Sequence, residues 1–211
     1  TAALHIACLA LGLKNGKKLW TSPITFVASA NCALYCGSEI DFVDIDQKTY
    51  NMSVFSLEEK LEKAELSGQL PDVIVPVHFA GQSCEMDKIY QLKQKYGFKI
   101  VEDASHALGG KYQKIRIGSC KYSEMTIFSF HPVKTITSGE GGMVLTNSKE
   151  LYQKLILFRS HGITRDPNFL SKKNPVPWHY EQIELGMNYR ITDIQAALAV
   201  SQLKRVGEFV K

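Results

Sequence analysis

Apolar residues along this chain recur at two spacings, and each spacing predicts one kind of element. Where they return every three to four residues, as at Leu4, Ala7, Cys8 and Leu11, they mark one face of a helix. This pattern predicts helices over residues 4–11, 27–36, 57–66, 86–96, 151–158 and 192–206. Short apolar runs predict strands over residues 18–20, 40–43, 73–77, 100–101, 126–130 and 143–146, and those at 73–77 and 100–101 are predicted to be buried.

Helices alternate with buried strands over most of the chain, which indicates an α/β fold with a mostly parallel sheet. Parallel strands need crossover connections, so helices are expected on both faces of that sheet. Ser56, with Glu59 three residues on, matches a capping box and is expected to begin the helix over 57–66. Residues 160–188, rich in Pro, Asn, Lys and Gly, are predicted to form a long surface excursion.

Two ionisable side chains are predicted to lie at one edge of the sheet. Asp103 follows the buried strand at 100–101, and Lys134 lies in a loop between the strands at 126–130 and 143–146. Ligands of such sheets bind beyond the carboxyl ends of the strands, where both residues are expected. Considered singly, Lys134 could be a solvated loop lysine, and Asp103 could cap a short helix that begins at Ala104.

Together the two residues fit the chemistry of a pyridoxal 5'-phosphate (PLP) enzyme. A lysine amine forms a Schiff base with the aldehyde of this cofactor, and a carboxylate keeps the pyridine nitrogen protonated. The aromatic approach through Phe128 and Phe130 offers the desolvated surroundings that make a lysine nucleophilic. His106 could lie on the cofactor ring or bond its 3-hydroxyl, or could be a core histidine with satisfied hydrogen bonds.

Composition adds few constraints to this interpretation. The 211 residues are 45% hydrophobic, enough for one sizeable core, so one large domain is expected. The net charge of +4 comes from basic and acidic residues spread along the chain, which argues against a nucleic-acid partner but suits an anionic substrate. The five cysteines have no metal-binding spacing and predict free thiols and no metal site.

The apolar runs and the two chain ends bear on location and completeness. No run reaches the roughly 18 apolar residues of a membrane span, and no charged-then-apolar leader is found, so we expect a cytoplasmic protein without membrane contact. The chain starts at Thr1 inside a helical apolar pattern, without an initiator methionine, and stops at Lys211 just after another helical segment. We therefore expect a piece of a longer protein.

Three segments of the chain resemble one enzyme family. Residues 99–110, 128–144 and 186–198, with the sequences KIVEDASHALGG, FSFHPVKTITSGEGGMV and GMNYRITDIQAAL, are similar to the large domain of the sugar-nucleotide aminotransferases of the DegT/DnrJ/EryC1/StrS family. The resemblance runs from the first residue to the last. It implies a fold-type I PLP-dependent transferase of the aspartate aminotransferase type. Residues 1–211 would be its PLP-binding large domain, truncated at the N-terminus and lacking a smaller C-terminal domain.

The resemblance assigns roles to residues that the pattern alone leaves unremarkable. Thr1 and Ala2 match residues that hold the cofactor phosphate at a helix N-terminus, where free N–H groups favour an anion. Ser129 matches a second phosphate ligand, and Phe26 matches the aromatic that stacks on the pyridine ring. Asn188 matches an amide that reaches the cofactor of the neighbouring subunit, which implies a homodimer with shared active sites. Taken singly, these would be a core aromatic, a turn serine and a loop asparagine.

The resemblance also implies an activity. Residues 77–84 and 159–167 are similar to the branch of the family that moves an amino group from L-glutamate to C4 of a UDP-linked 4-keto-6-deoxy-N-acetyl sugar, for surface glycans of the pseudaminic acid type. Lys134 favours transamination, because related sugar dehydratases carry histidine at that position. Two alternatives stay open: a PLP-dependent lyase that removes a sugar hydroxyl, and a non-catalytic fragment of an aminotransferase. Arg159, Arg165 and Arg190 are candidate nucleotide contacts.

Overall fold

Six strands form a mixed sheet in the computed structural model, which describes residues 1–172 and 176–211. The described residues contain ten strands, and six of them belong to this sheet. In chain order they are β1 (Lys18–Thr21), β2 (Glu39–Phe42), β3 (Val73–Val75), β4 (Lys99–Asp103), β5 (Lys111–Tyr112), β6 (Ile115–Arg116), β7 (Met125–Ser129), β8 (Gly142–Leu145), β9 (Ile163–Thr164) and β10 (Glu181–Gln182). The sheet order is β2-β1-β3-β4-β7-β8, parallel except for β8, which pairs antiparallel with β7. The predicted α/β fold with a mostly parallel sheet is confirmed.

Helices connect the strands and cover both faces of the sheet. They are α1 (Ala2–Ala10), α2 (Ala28–Tyr35), α3 (Val54–Ser67), α4 (Met86–Tyr96), α5 (Lys149–Arg159), α6 (Asp193–Leu203) and α7 (Val206–Phe209). Neighbouring strand residues point to opposite faces, so Leu19 packs with α1, α2 and α5, whereas Trp20 packs with α3 and α4. Two apolar cores therefore sandwich the sheet.

Most predicted elements are found within about two residues of their predicted ends, but the start of α3 is not. The helix begins at Val54, and its N-cap is Ser53, whose side chain accepts a hydrogen bond from Ser56 N at 3.1 Å. The predicted capping role of Ser56 is therefore wrong. A serine three residues upstream offered the same chemistry, and Val54 and Phe55 fit the first turn of the helix.

Two other predicted elements differ at their ends. β3 stops at Val75 because Pro76 has no N–H for the ladder, although Val77 still forms an isolated parallel bridge with Asp103. The helix predicted over 192–206 is two helices. α6 ends at Leu203, and Arg205 N donates to Gln202 O, three residues back, in place of a continued i to i−4 bond.

The predicted surface excursion contains the short antiparallel pair β9-β10 and is largely exposed where it is described; its residues 173–175 lie outside the described ranges. All five cysteines are free thiols, as predicted. Among the helices of residues 1–172 and 176–211, none is long and apolar enough to cross a membrane.

Candidate active site

The carboxyl ends of the parallel strands meet at one edge of the sheet, and most predicted site residues lie there. β4 ends at Asp103 and its neighbour β7 ends at Ser129. Phe26 lies in the connection from β1 to α2, and Lys134 lies in the loop that follows β7. The topology thus brings residues from four separate parts of the chain to the edge where α/β sheets bind ligands.

Asp103 is buried, and its carboxylate is held by two serines. Oδ2 accepts a hydrogen bond from Ser29 Oγ at 2.7 Å, and Oδ1 accepts from the backbone N–H and the hydroxyl of Ser105 at 3.1 and 2.6 Å. Ser29 Oγ lies 2.8 Å from Thr25 Oγ1, which donates to it because the serine proton is used by Asp103. These contacts fix the carboxylate in one orientation.

The sequence analysis assigned no role to either serine, and only one of the two contacts follows a recognisable local pattern. Residues 104–110 form turns and not a helix, so the alternative reading of Asp103 as a helix cap is wrong. Asp103 instead bonds the turn at Ser105, two residues on, a pattern that Asp often forms and that the sequence could have suggested. Ser29 lies 74 positions away in the chain and carries no sequence signal.

Lys134 is half-buried in a loop that hydrogen bonds close at its base. Phe130 O accepts from Ser138 N and from Thr137 Oγ1, both at 3.0 Å. Within the loop, Lys134 N donates to His131 O at 3.0 Å and forms a tight turn. The loop between β7 and β8 is therefore fixed at both ends, as expected, and it presents a single lysine.

His106 couples electrostatically to both predicted catalytic residues. The pKa of His106 is lowered, first by burial of the ring and then by the positive charge of Lys134, while the negative charge of Asp103 opposes both. His106 follows Asp103 by three residues in the turn after β4, and Lys134 lies in the loop after the neighbouring strand β7. The ring also meets Phe79 edge-on, with 6.4 Å between centroids. Asp103, His106 and Lys134 are thus brought together.

Phe26 is an exposed aromatic and not a core residue. Its side chain is 72% exposed, so the alternative reading of this position as core is wrong. Its carbonyl oxygen accepts a hydrogen bond from Ser29 N at 3.1 Å, which places it one turn from the serine that holds Asp103. An uncovered apolar ring at this edge is available to stack on a flat ligand.

The three predicted phosphate ligands also converge. Thr1 precedes α1, and its side chain makes no capping bond, so the first-turn N–H groups of Ala2 and its neighbours keep their capacity for an anion. A side-chain carbon at Gly142 would lie 3.7 Å from Ala3 Cβ, and Gly142 pairs with Ser129 across β7 and β8. The start of α1 therefore lies beside the end of β7.

Asn188 is held by a different part of the fold. It forms an antiparallel bridge with Ser160 at the end of α5, and it is exposed. The next residue, Tyr189, places its hydroxyl 3.2 Å from His5 Nδ1 on α1. The contacts that fix Asn188 thus come from α5 and α1, and its amide is open to a neighbouring molecule.

The arginine candidates lie on the predicted surface excursion and its borders. Arg159 ends α5, Arg165 places its guanidinium over the Tyr180 ring at 6.0 Å, and Arg190 is exposed. Nothing in these contacts distinguishes a nucleotide ligand from a surface arginine.

The residues at this edge fit PLP. A carboxylate offers about four lone-pair positions, and the described residues use three of those on Asp103, which leaves one for a ring N–H. Phe26 offers a face for the pyridine ring, and the start of α1 with Ser129 offers an anion site. Lys134 supplies an amine in the loop after β7, next to the strand that ends at Asp103.

Comparison with known proteins shows which family shares the sequence that forms this site. The family model of the DegT/DnrJ/EryC1/StrS aminotransferases matches residues 1–211. A UDP-4-amino-4,6-dideoxy-N-acetyl-beta-L-altrosamine transaminase of Campylobacter jejuni subsp. jejuni serotype O:23/36 is 44% identical over 208 residues, which cover 98% of this chain and 50% of that protein. The chain therefore spans about half the length of this curated relative.

Solved structures agree with the sequence match. Helicobacter pylori PseC, an aminotransferase involved in pseudaminic acid biosynthesis, superimposes with a TM-score of 0.81 at 33% identity, covering 99% of this chain and 52% of PseC. NtdA of Bacillus subtilis, solved with the bound cofactor PMP, gives a TM-score of 0.79 at 27% identity over 98% of this chain and 43% of NtdA. Aminotransferases of this family depend on PLP. The chain belongs to the DegT/DnrJ/EryC1/StrS aminotransferase family.

Proposed function

We propose that this chain is the PLP-binding large domain of a cytoplasmic aminotransferase that moves an amino group from L-glutamate to C4 of a UDP-linked 4-keto-6-deoxy-N-acetyl sugar. The observation that carries the proposal is the placement of Asp103 at the end of β4 and of Lys134 in the loop after the neighbouring strand β7, at the carboxyl edge of the sheet. In a family of PLP enzymes, cofactor binding explains why a lysine and a carboxylate lie at this edge. A lysine that is only solvated, or a carboxylate that is only structural, would not need to lie there.

Asp103 and Lys134 take the two central roles. When bound, PLP supplies an aldehyde that condenses with amines and a ring that takes up negative charge from the reacting carbon. Asp103, oriented by Ser29 and Ser105, holds the proton on the pyridine nitrogen. Lys134 Nζ is the amine that would hold the cofactor. When free, the same amine would take up and return the proton of the donor α-carbon.

The other predicted residues bind and orient. Thr1, Ala2 and Ser129 hold the phosphate at the start of α1. Phe26 covers one face of the ring, a contact of about 1 kcal/mol. His106, whose lowered pKa keeps it neutral at pH 7, lies near the ring and can bond the 3-hydroxyl.

The choice of sugar rests on the relatives. The C. jejuni protein named for an altrosamine product is 44% identical, and PseC, named for pseudaminic acid biosynthesis, shares the fold at 33% identity. The first name contains a UDP-linked 4-amino sugar, and we carry that class of product over to this chain. We place the nucleotide near the segment 160–186, which follows α5 and carries Arg165.

We further propose that a smaller domain follows residue 211 and that two subunits share their sites through Asn188. The length of the relatives supports the first proposal, since the chain spans about half of each. Exposed apolar side chains support both: Ile194 on α6 is 84% exposed, and Leu198 on the same helix is also exposed.

Product analysis tests the activity. Full-length protein is supplied with PLP, L-glutamate and a panel of UDP- and GDP-linked 4-keto-6-deoxy sugars, and products are identified by mass and NMR. We expect 2-oxoglutarate and a UDP-linked 4-amino sugar in equal amounts. A sugar that loses a hydroxyl without gaining nitrogen would favour the lyase alternative, and no conversion of any member of the panel would contradict the proposal.

A further inference from the structure

A buried histidine and glutamate form a pair on the sheet face opposite Asp103. His78 is 0% exposed and Glu102 is 5% exposed. His78 Nε2 donates to Glu102 Oε2 at 2.8 Å, and Glu102 Oε1 accepts from Ser123 Oγ and from Thr126 Oγ1, the latter at 3.2 Å. The Glu102 carboxylate thus accepts three hydrogen bonds in the core. Nothing in the reaction described above uses this glutamate.

The same pair is joined to Asp103 through the backbone. Glu102 and Asp103 are consecutive in β4, so their side chains point to opposite faces. His78 N donates to Asp103 O at 3.0 Å, and Asp103 N donates to Pro76 O at 2.9 Å. His78 therefore bonds Glu102 with its ring and Asp103 with its main chain, and it fixes the last peptide of β4 from the side that the cofactor does not occupy.

The geometry also constrains the proton on His78. Desolvation opposes charge on the buried ring, whereas Cys84 and Glu102 raise the pKa of His78 above its ordinary value. Nδ1, however, accepts the Cys84 backbone N–H at 3.2 Å, and a proton on Nδ1 would oppose that N–H. The Cys84 thiol donates to Val77 O. The neutral ring, with its proton on Nε2 toward Glu102, fits the site.

A buried polar pair is weak evidence for stability, because apolar residues of similar volume often fold as well or better. Its position at the end of β4 suggests another reason for its presence. We propose that His78 and Glu102 are positioning residues that hold Asp103 at the depth and angle at which its carboxylate accepts the cofactor ring N–H. This inference rests on the proposed contact between Asp103 and the pyridine nitrogen.

Binding of two cofactor analogues to full-length apoprotein separates positioning from general packing. PLP has the ring nitrogen that Asp103 would meet, and 1-deaza-PLP has carbon in its place, so the ratio of their dissociation constants reports that contact alone. In Glu102→Gln we expect the preference for PLP to fall by about tenfold. This is the lower end of the loss seen when a residue that supports a metal ligand is removed. His78→Gln, which keeps a donor toward Glu102, should retain part of the preference.

A matched control and a milder variant keep the test decisive. Glu124, just before β7, is a partly buried glutamate that accepts from Ile100 N near the other end of β4, and Glu124→Gln should keep the full preference. Ser123→Ala removes one donor to Glu102 and should lower the preference less than Glu102→Gln does, and it serves if the latter fails to fold.

Each outcome has one meaning. A loss of preference in Glu102→Gln and Ser123→Ala, but not in Glu124→Gln, supports the inference. If Glu102→Gln and Ser123→Ala bind both analogues more weakly by the same factor, or bind both as wild type does, the pair has no positioning role and the inference is wrong. If wild type itself shows no preference, the contact of Asp103 with the ring nitrogen fails, and with it the proposed function.

Discussion

At the scale of residues, the structure adds to Asp103 and Lys134 the side chains that hold them. Both could be found from the sequence, because a carboxylate at a strand end and a lysine in a glycine-bordered loop are local patterns. Ser29, His78 and Glu102 could not, because their partners are distant in the chain or face the opposite side of a strand. Contacts of this kind depend on the register of the sheet, which no local pattern encodes.

Ser29 should matter for cofactor affinity. Removing its hydroxyl in Ser29→Ala deletes a hydrogen bond that orients a buried carboxylate, and such bonds are worth about 1.5 to 3 kcal/mol. The bond is lost from the free and the bound protein alike, so only part of this energy weakens binding, and PLP affinity of the full-length protein should fall by up to roughly tenfold. Fluorescence titration of apoprotein measures this. Ser67→Ala removes a serine bonded only to its own helix and should leave PLP affinity unchanged. Equal affinity in wild type and Ser29→Ala would show that Asp103 does not need this support.

His106 offers a test of proximity that needs no cofactor. Its pKa is lowered by burial and by Lys134 and raised by Asp103. In apoprotein, Lys134→Ala should therefore raise the pKa of His106, and Asp103→Asn should lower it further. NMR titration of the ring protons measures both shifts, and Lys121→Ala serves as a control for the loss of a lysine elsewhere. A His106 titration that neither variant moves would mean that these side chains are not close.

At the scale of elements, hydrophobic spacing predicted the six strands of the main sheet and most helices, because each of these elements buries one side or both against a core. Helix starts were less predictable, since neighbouring serines compete for the same cap. The sequence predicted a mostly parallel sheet, but it did not predict the strand order β2-β1-β3-β4-β7. Which strands are neighbours depends on how the crossovers pack, and the periodicity of each strand carries no information about its partner.

The start of α3 can be tested by stability. Ser53→Ala removes the side-chain oxygen that accepts Ser56 N, so we expect the free energy of unfolding to fall by about 1 kcal/mol. Ser56→Ala, at the position that the sequence favoured, keeps that acceptor and should change stability by less than half as much. Urea unfolding followed by circular dichroism measures both. A larger loss in Ser56→Ala would restore it as the cap.

At the scale of the whole molecule, the sheet edge collects parts from the beginning and the middle of the chain. The start of α1, the ends of β4 and β7, and the lysine loop meet there, whereas Asn188 and the exposed face of α6 point to surfaces that the chain alone does not cover. From the family resemblance we expect a neighbouring subunit and a further domain at these surfaces, and both stay predictions. Hydrophobic patterning does not distinguish such surfaces, because an exposed apolar residue looks the same in sequence as one in the core.

The central claim is that Lys134 binds PLP covalently. Full-length protein is incubated with PLP, reduced with sodium borohydride, digested and analysed by mass spectrometry. We predict a pyridoxyl group on the peptide that contains Lys134, no stable label in Lys134→Ala, and full labelling in the control Lys121→Ala. A label on another lysine, or undiminished labelling of Lys134→Ala, would contradict the account.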